Sequence, residues 1–296
     1  MTRRGLMRAF RQLRTGKIQR LAFEYNLADH CNLTCHRCDH ASPLLPEKLA
    51  SIEQFTADLC ALGQVYHADE LRIVGGEPLL HPRAIEFLEV ARACGIADRI
   101  VLTTNGLLLH KAAPRLFELL DEIRLSVYPR VKLPLTLERY AEIARAHGAL
   151  LTPVVQDRFS HTLLNQRIED SDLVRSIYRS CKMTGHWSCH CVYEGRYYKC
   201  PVAALMEPRL ARLGIVLDSA GDGVPIHAPN LRVRLARYLR DDRPLASCSF
   251  CLGTSGPLEE HRLLNRAGVE AWWKEDHRGL IDRLRPPNPI KQHGAR

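Results

Sequence analysis

The sequence lacks the apolar segments that carry a protein into or across a membrane. It has no run of eighteen or more apolar residues, so no transmembrane helix is predicted. Its N-terminus has neither the apolar stretch nor the cleavage site of a secretory signal. We therefore expect a soluble, cytoplasmic protein without a membrane span.

Acidic residues are also absent from the first twenty positions, which hold seven basic ones. Without this segment the formal net charge of +9 falls to about +2, an ordinary balance, so nucleic acid is not an expected partner. A basic arm that meets a membrane surface, an acidic partner or RNA stays open. The favoured interpretation is a solvated leading helix with Leu6, Phe10 and Leu13 on one face. The basic residues are Arg3, Arg4, Arg8, Arg11, Arg14, Lys17 and Arg20.

Cysteine is abundant, with eleven residues in a chain of 296. An odd number in a protein without a secretory signal favours metal or redox chemistry over a disulfide framework. The spacing of the cysteines therefore carries functional information.

Short apolar runs alternate with helical patterns from Leu21 onward, which is typical of strand–helix units around a parallel sheet. This pattern predicts an α/β fold, a partial (β/α)6 TIM-like barrel over residues 21–175. The predicted strands are Leu21–Leu27, Leu71–Val74, Ile100–Thr103, Ile123–Val127 and Leu151–Val155. The predicted helices are Ile52–Leu62 after Ser51, Arg83–Cys94, Pro114–Leu120 and Leu137–Ala146 after Thr136.

The strand–helix rhythm ends near residue 160, where cysteines begin to cluster. Glu194-Gly195 lies between Val192-Tyr193 and Tyr197-Tyr198 and predicts a β-hairpin around Tyr193–Cys200. We expect a small metal-stapled module over residues 176–260, and a C-terminal helix and disordered tail over residues 261–296, the tail from Arg285.

Three thiols follow the first predicted strand, at Cys31, Cys35 and Cys38. Barrel folds build their active sites at the carboxyl ends of strands. Three thiolates within eight residues could bind an iron–sulfur cluster and leave one iron without a protein ligand. The spacing also allows a zinc site with His36 or His40 as the fourth ligand.

Further motifs at the ends of later strands favour the iron–sulfur cluster over zinc. Together with the three cysteines, these motifs make the chain resemble the radical S-adenosylmethionine (radical SAM) superfamily. Its hallmark is Cys-x3-Cys-x2-Cys after the first strand. Gly75-Gly76-Glu77-Pro78 resembles its Gly-Gly-Glu motif, Thr103-Thr104-Asn105-Gly106 its Thr-Asn-Gly segment, and Ser126 a polar position of the fourth strand.

The resemblance implies a catalytic [4Fe–4S] cluster on Cys31, Cys35 and Cys38. The free iron would chelate S-adenosylmethionine, and one electron would cleave it to a 5′-deoxyadenosyl radical. An electron donor such as flavodoxin or ferredoxin is then an expected partner. The implied cofactor-binding residues are Gly75, Gly76, Glu77, Thr104, Asn105 and Ser126, with backbone carbonyls or Glu77 at the cofactor's ammonium.

One position departs from the family pattern. The residue before the third cysteine is usually an aromatic near the adenine, and here it is Arg37. His36 or Arg37 could stack or hydrogen-bond there instead. Asp39 and His40 are candidates for cofactor or substrate recognition.

The later cysteines resemble the shortened SPASM module called twitch. This implies one auxiliary [4Fe–4S] cluster, with a zinc ribbon as the alternative. Cys189 and Cys191 compete with Cys181 for the ligand role, or could return a hydrogen atom to a substrate radical. The implied ligands are Cys181, Cys200, Cys248 and Cys251.

These motifs predict a radical enzyme that abstracts hydrogen from a small polar substrate, in carbohydrate or aminocyclitol dehydrogenation or epimerisation. Maturation of a ribosomally made peptide is one alternative. A non-catalytic zinc- or nucleic-acid-binding protein is another. Candidate substrate contacts, chosen by position alone, are Tyr128, Gln156, Arg158, His161 and Tyr193.

Overall fold

A computed structural model describes residues 3–284 of the chain, so the predicted tail from Arg285 lies outside the described residues. The strands are β1 Ile18–Asn26, β2 Tyr66–Val74, β3 Ala97–Thr104, β4 Glu122–Val127, β5 Leu150–Val155, β6 Arg158–Ser160, β7 Cys191–Tyr193, β8 Arg196–Tyr198, β9 Gly223–Pro225 and β10 Leu258–Glu260. The helices are α1 Arg3–Thr15, α2 Ile52–Gly63, α3 Ala84–Cys94, α4 Pro114–Glu118, α5 Leu137–Ala146, α6 Ser171–Ser180, α7 Pro201–Ala211, α8 Leu231–Arg240, α9 Arg266–Trp273 and α10 Arg278–Leu284.

Strands β1 to β5 form a continuous parallel sheet in the order β5-β4-β3-β2-β1. Helices α2 to α5 supply the crossovers that parallel neighbours require. All five predicted strands are present, and three of them begin several residues earlier than the apolar runs indicated. The mixed α/β fold with a mostly parallel sheet is therefore confirmed.

The second half of the chain extends this sheet. The predicted hairpin forms as β7 and β8, and β7 pairs in parallel with β1, with Glu24 opposite Cys191. Strand β6 stays outside the sheet and pairs with β10. The cysteine-rich region is thus joined to the barrel by backbone hydrogen bonds.

The helices cover the sheet with apolar faces, as their patterns predicted. Ser51 and Thr136 cap α2 and α5 by accepting bonds from the backbone N–H of Gln54 and Arg139. Phe55 and Leu59 of α2 are fully buried in the same core as Phe23, and the Phe55 ring contacts that of Tyr25. Each such side chain stabilises the fold by about 1.5–3 kcal/mol.

The ends of the parallel strands determine where the motifs lie. Strand β1 ends five residues before Cys31, β2 ends immediately before Gly75, and β3 ends at Thr104. Because neighbouring parallel strands end at one edge of a sheet, these motifs converge there. In residues 3–284, no helix has both the length and the apolar character needed to cross a membrane.

Candidate active site

A cavity of about 430 Å³ opens at the carboxyl ends of β1 to β4. All but one of the residues predicted to bind the cluster or its cofactor line this cavity. The exception is Glu77. The predicted residues that line the cavity are Cys31, Cys35, Cys38, Gly75, Gly76, Thr104, Asn105 and Ser126.

The three thiols of this cavity lie in a poorly solvated environment. Burial raises the pKa of Cys31 to about 11 and that of Cys35 to about 12, and it raises the pKa of Cys38 further. Leu33 N–H and Asn105 Nδ2 donate to Cys31 Sγ at 3.4 and 3.6 Å. Without a cation these groups are neutral thiols at pH 7, whereas a bound metal cluster would stabilise the thiolates.

Glycine is required where the second motif passes the first. A Cβ on Gly75 would lie 2.4 Å from the carbonyl oxygen of Ala28, and one on Gly76 would lie 2.2 Å from that of His30. Gly76 N–H donates to Ala28 O at 2.7 Å. The paired glycines therefore let the β2 end pack directly on the chain that leads into the cysteine loop.

Glu77 differs from the expectation that its carboxylate meets a cofactor. Its side chain is fully buried and accepts bonds from Thr104 Oγ1 at 2.7 Å, Asn105 N at 2.8 Å and Leu79 N at 3.0 Å. These three hydrogen bonds hold the Glu77 carboxylate beneath the cavity wall. Glu77 thus fixes the loop after β3, and the two glycines of the Gly-Gly motif line the cavity without it.

Residues 258–277, here named the closing segment, run along the cysteine loop. Cys35 forms a β-bridge with Leu263, His36 N–H donates to the carbonyl of Arg262 at 2.9 Å, and Leu264 N–H donates to that of Thr34 at 2.9 Å. The local sequence carried no signal for this contact because its partners are more than 200 residues apart.

Arg37 faces the closing segment with its charged group paired. Its Nε donates to Glu259 at 2.7 Å, and its two terminal nitrogens donate to Glu275 at 2.5 and 2.8 Å. Its φ of 62° is left-handed and turns the chain between the last two cysteines of the motif. Arg37 therefore attaches the cysteine loop to the closing segment. The predicted adenine contact is not its main role in this structure.

His36 also departs from the expected adenine contact. It is buried, accepts a bond from Arg262 Nε at 3.0 Å and meets Trp272 edge-on at 5.3 Å. His36 and Arg37 were both predicted to replace the family's aromatic residue near the adenine. Both instead contact the closing segment.

We expect Arg37→Ala to lower the free energy of unfolding by about 3 kcal/mol, because it leaves two carboxylates without their buried partner. Their side chains keep about a third of their exposure, which places the cost at the lower end for such pairs. Urea denaturation measures it. The control is Arg139→Ala, which removes an exposed pair with Glu142 and should cost under about 0.5 kcal/mol. Equal effects in the two variants would refute this role of Arg37.

His261 of the closing segment contacts a thiol of the motif. Its Nε2 lies 3.2 Å from Cys35 Sγ, and the side chain is buried with its ring against Tyr128 and Phe159. Sequence reasoning missed this residue because a lone histidine in a loop 226 positions away carries no pattern.

His161, Glu275 and His277 gather their ligand atoms within 4.8 Å, as a metal site does. Asn165 N–H donates to His277 Nδ1 at 2.9 Å, so the proton of a neutral His277 ring lies on Nε2. That nitrogen lies 3.3 Å from a carboxylate oxygen of Glu275 without a hydrogen bond, and it has no lone pair for a metal. The group therefore does not bind a metal in this arrangement.

A second, smaller pocket of about 30 Å³ gathers the later cysteines. Cys181, Cys200, Cys248 and Cys251 all line it, whereas Cys189 and Cys191 line neither this pocket nor the larger cavity. Cys191 is buried in β7, opposite Tyr198. The structure thus brings together the four thiols that the twitch resemblance selected.

The candidate substrate contacts separate into two groups. Tyr128, Gln156 and Arg158 line the cavity, as do Asp39 and His40. Tyr193 instead donates to Asp29 at 2.6 Å on another face, and His161 lies beneath the closing segment. Position along the chain could not separate them, because it does not give the direction of a side chain.

Comparison with known proteins gives a family match over part of the chain. Residues 25–136 match the model of the Radical SAM superfamily. The GTP 3′,8-cyclase of Chlorobaculum tepidum is 31% identical over 150 residues, which are 48% of this chain and 44% of that protein. The GTP 3′,8-cyclase of Alkaliphilus oremlandii is 35% identical over 138 residues, 44% of this chain and 40% of that protein. The chain thus spans less than half the length of these relatives.

Among solved structures, BtrN in complex with AdoMet and 2-DOIA aligns with 79% of this chain and 94% of its own, with a TM-score of 0.51 and 16% identity. At this identity the likeness shows a common fold. Residues 25–136, which carry the three-cysteine loop, match the Radical SAM superfamily, and this family implies a [4Fe–4S] cluster and S-adenosylmethionine as cofactors.

Proposed function

We propose that this radical SAM enzyme abstracts hydrogen from a carbon of a small, hydroxyl-rich substrate that is neutral or cationic, of the carbohydrate or aminocyclitol class. The observation that carries the proposal is the charge of the cavity. Its wall holds two acidic side chains, Glu24 beside Arg72 and Asp39 beside His40, and one arginine, Arg158, that has no ion-pair partner within residues 3–284. Such a wall binds hydroxyl and amino groups well.

The residues present fit the cluster that the family implies. Three thiols line one cavity together with Gly75 and Gly76, whose backbone carries no side chain. A tetrahedral zinc site would place its sulfurs about 3.8 Å apart. In the described part of the chain, neither cysteine cluster brings three ligand atoms within 4.8 Å of one another, which favours a larger inorganic core.

Cys31, Cys35 and Cys38 would hold this cluster, and the bound cluster would supply the electron that cleaves S-adenosylmethionine to a 5′-deoxyadenosyl radical. Asn105 and Thr104, which donate to Glu77, line the cavity, and Asn105 Nδ2 donates to Cys31 Sγ at 3.6 Å. A low-potential carrier such as flavodoxin or ferredoxin would deliver the electron.

The polar groups on the cavity wall suit a substrate amine or hydroxyl. His40 Nδ1 lies 3.3 Å from Asp39 Oδ1, and this contact and the charge of Asp39 raise the pKa of His40 although burial alone would lower it. Burial raises the pKa of Glu24, which lies 3.7 Å from Arg72. A cationic substrate group would favour the ionised form of Glu24.

The same charges disfavour a nucleoside triphosphate, the substrate class in the names of the GTP cyclase relatives. A triphosphate is bound by several unpaired basic groups or a metal. Two arginines line the cavity, and Arg37 is already paired with Glu259 and Glu275. Arg158 alone would face the phosphates, with Glu24 and Asp39 opposing them.

The four-thiol pocket supports oxidation as the reaction. Cys181, Cys200, Cys248 and Cys251 would hold an auxiliary [4Fe–4S] cluster, which would supply a one-electron acceptor. Conversion of a secondary alcohol to a ketone removes one hydrogen atom, one electron and one proton. A cluster with four protein ligands has no free iron for the substrate, so its contribution would be electron transfer.

His261 provides a spectroscopic prediction. A metal-bound thiolate can only accept a hydrogen bond, so the N–H of His261 Nε2 would point at Cys35 Sγ. Such a bond eases reduction of a cluster. We expect His261→Phe to shift the midpoint potential to more negative values with iron content unchanged, in a redox titration followed by electron paramagnetic resonance. His261→Gln, which keeps a donor, should recover part of the shift. An unchanged potential in the phenylalanine variant would rule this bond out.

The proposal is tested by incubating reduced, cluster-loaded protein with S-adenosylmethionine and a panel of deuterated substrates. We expect deuterium to pass from an aminocyclitol or sugar carbon into 5′-deoxyadenosine, with a ketone as product. Transfer from GTP or a peptide alone would refute the proposed substrate class. A deuterated substrate recovered with inverted configuration and no ketone would refute oxidation.

A further inference from the structure

Helix α1 presents its apolar side to solvent. Met7, Phe10 and Leu13 are 58%, 68% and 86% exposed, and their spacing of three residues places them along one side of the helix. We propose that this surface, the α1 stripe of Met7, Phe10 and Leu13, attaches the protein peripherally to an anionic lipid surface.

The orientation of α1 is set by ion pairs on its other side. Arg8 pairs with Asp69, and Arg11 Nη1 donates to Asp98 at 2.8 Å and lies 3.0 Å from His67 Nδ1. A surface helix normally buries its apolar stripe against the core. Here the arginines face the barrel and the stripe faces outward, the reverse of the usual arrangement for a solvated leading helix.

The charge of the segment identifies the kind of surface that fits it. Residues 1–20 carry seven basic and no acidic side chains. Among the described residues of this segment, only Arg8 and Arg11 form ion pairs with acidic residues of the barrel. Arg14 lies exposed in the last turn of α1, next to Leu13. Apolar side chains flanked by arginine are the pattern of helices that lie in the headgroup region of anionic membranes.

A second copy of the chain fits this surface less well. Three side chains on a helix of 13 residues offer far less than the roughly 800 Å² per partner of a stable dimer. Pairing two such helices would also bring their basic residues together without acids to balance them. Nucleic acid would match the charge, but it gives the aliphatic side chains of Met7 and Leu13 nothing to bury against.

The position of α1 leaves the active site free. Its ion-pair partners Asp69 and Asp98, and His67 beside Arg11, lie in the amino-terminal halves of β2 and β3. The cysteine loop and the cavity lie at the opposite, carboxyl ends. A membrane bound at α1 would therefore not cover the cavity opening.

Vesicle co-sedimentation of the full chain tests the proposal. We expect binding to phosphatidylcholine vesicles that contain phosphatidylglycerol, weakened by salt, and none to phosphatidylcholine alone. The double variant Phe10→Ser, Leu13→Ser should bind at least about tenfold more weakly, which corresponds to about 1.4 kcal/mol. The control Val216→Ser, at a 96% exposed apolar residue elsewhere, should bind as the wild type does.

Circular dichroism and S-adenosylmethionine cleavage equal to wild type would show that the double variant is folded. Wild-type protein that stays in the supernatant with both vesicles would overturn the proposal. So would a double variant that binds as tightly as wild type, or an α1 stripe that mediates only self-association or RNA binding.

Discussion

Replacing Cys31 with alanine is expected to reduce formation of 5′-deoxyadenosine to the level seen without reductant. Cys31 lines the cavity with Cys35 and Cys38, and Leu33 N–H and Asn105 Nδ2 orient its sulfur. Two remaining thiols cannot hold a cluster that requires three protein ligands. Product formation is measured by chromatography and mass spectrometry after anaerobic reconstitution.

The matched control for this loss is Cys60→Ala. Cys60 is an exposed thiol of α2, outside the residues that line the cavity or the four-thiol pocket, so its removal should leave cleavage unchanged. Cleavage that persists in Cys31→Ala would contradict the assignment of the catalytic cluster.

The second large effect is expected from Cys248→Ala, which should remove the iron of the auxiliary site and abolish oxidation of the substrate. Cleavage of S-adenosylmethionine should continue, because the two thiol sets line separate cavities. Iron content should fall to about half of the wild-type value, since one of two [4Fe–4S] clusters is lost. Iron analysis and product assays on the same sample separate the two effects.

Cys189→Ala is the control for the auxiliary ligand set, because Cys189 lines neither cavity. We expect it to retain full iron content and full oxidation. Loss of iron in Cys189→Ala, together with full iron in Cys248→Ala, would show that the four-thiol assignment is wrong.

The parallel barrel and its motifs could be predicted from the sequence because their signals are local. The apolar run before Cys31, the Gly-Gly pair after β2 and Thr104-Asn105 after β3 each combine a strand pattern with a chemical motif. Parallel strands then bring these motifs to one edge without further information. The caps at Ser51 and Thr136 were predictable for the same reason.

The contacts made by the closing segment could not be predicted, because they join residues far apart in the chain. Arg37 was interpreted as a substitute for an aromatic residue, and its pairing with Glu259 and Glu275 appears only in three dimensions. His261 beside Cys35 is a contact of the same kind. The pairing of β7 with β1 likewise has no local signal, since strand pairing depends on the whole topology.

The ionisation state of Glu275 is another property that could not be predicted from the sequence. Burial by itself would raise the pKa of this carboxyl, but hydrogen bonds and charge from Arg37 hold it well below its usual range. Its ionised form therefore stabilises the fold above the carboxyl's ordinary pKa, and this contribution is lost only as pH falls through the depressed value. The closing segment should stay attached to the cysteine loop throughout the neutral range.

The central claim is that Cys31, Cys35 and Cys38 hold a cluster that cleaves S-adenosylmethionine. The most direct test is to purify the protein without oxygen, determine its metals and add reductant with S-adenosylmethionine. We predict iron and sulfide in the protein, and 5′-deoxyadenosine and methionine in equal amounts. Zinc without iron, or iron-loaded reduced protein that yields neither product, would contradict the account.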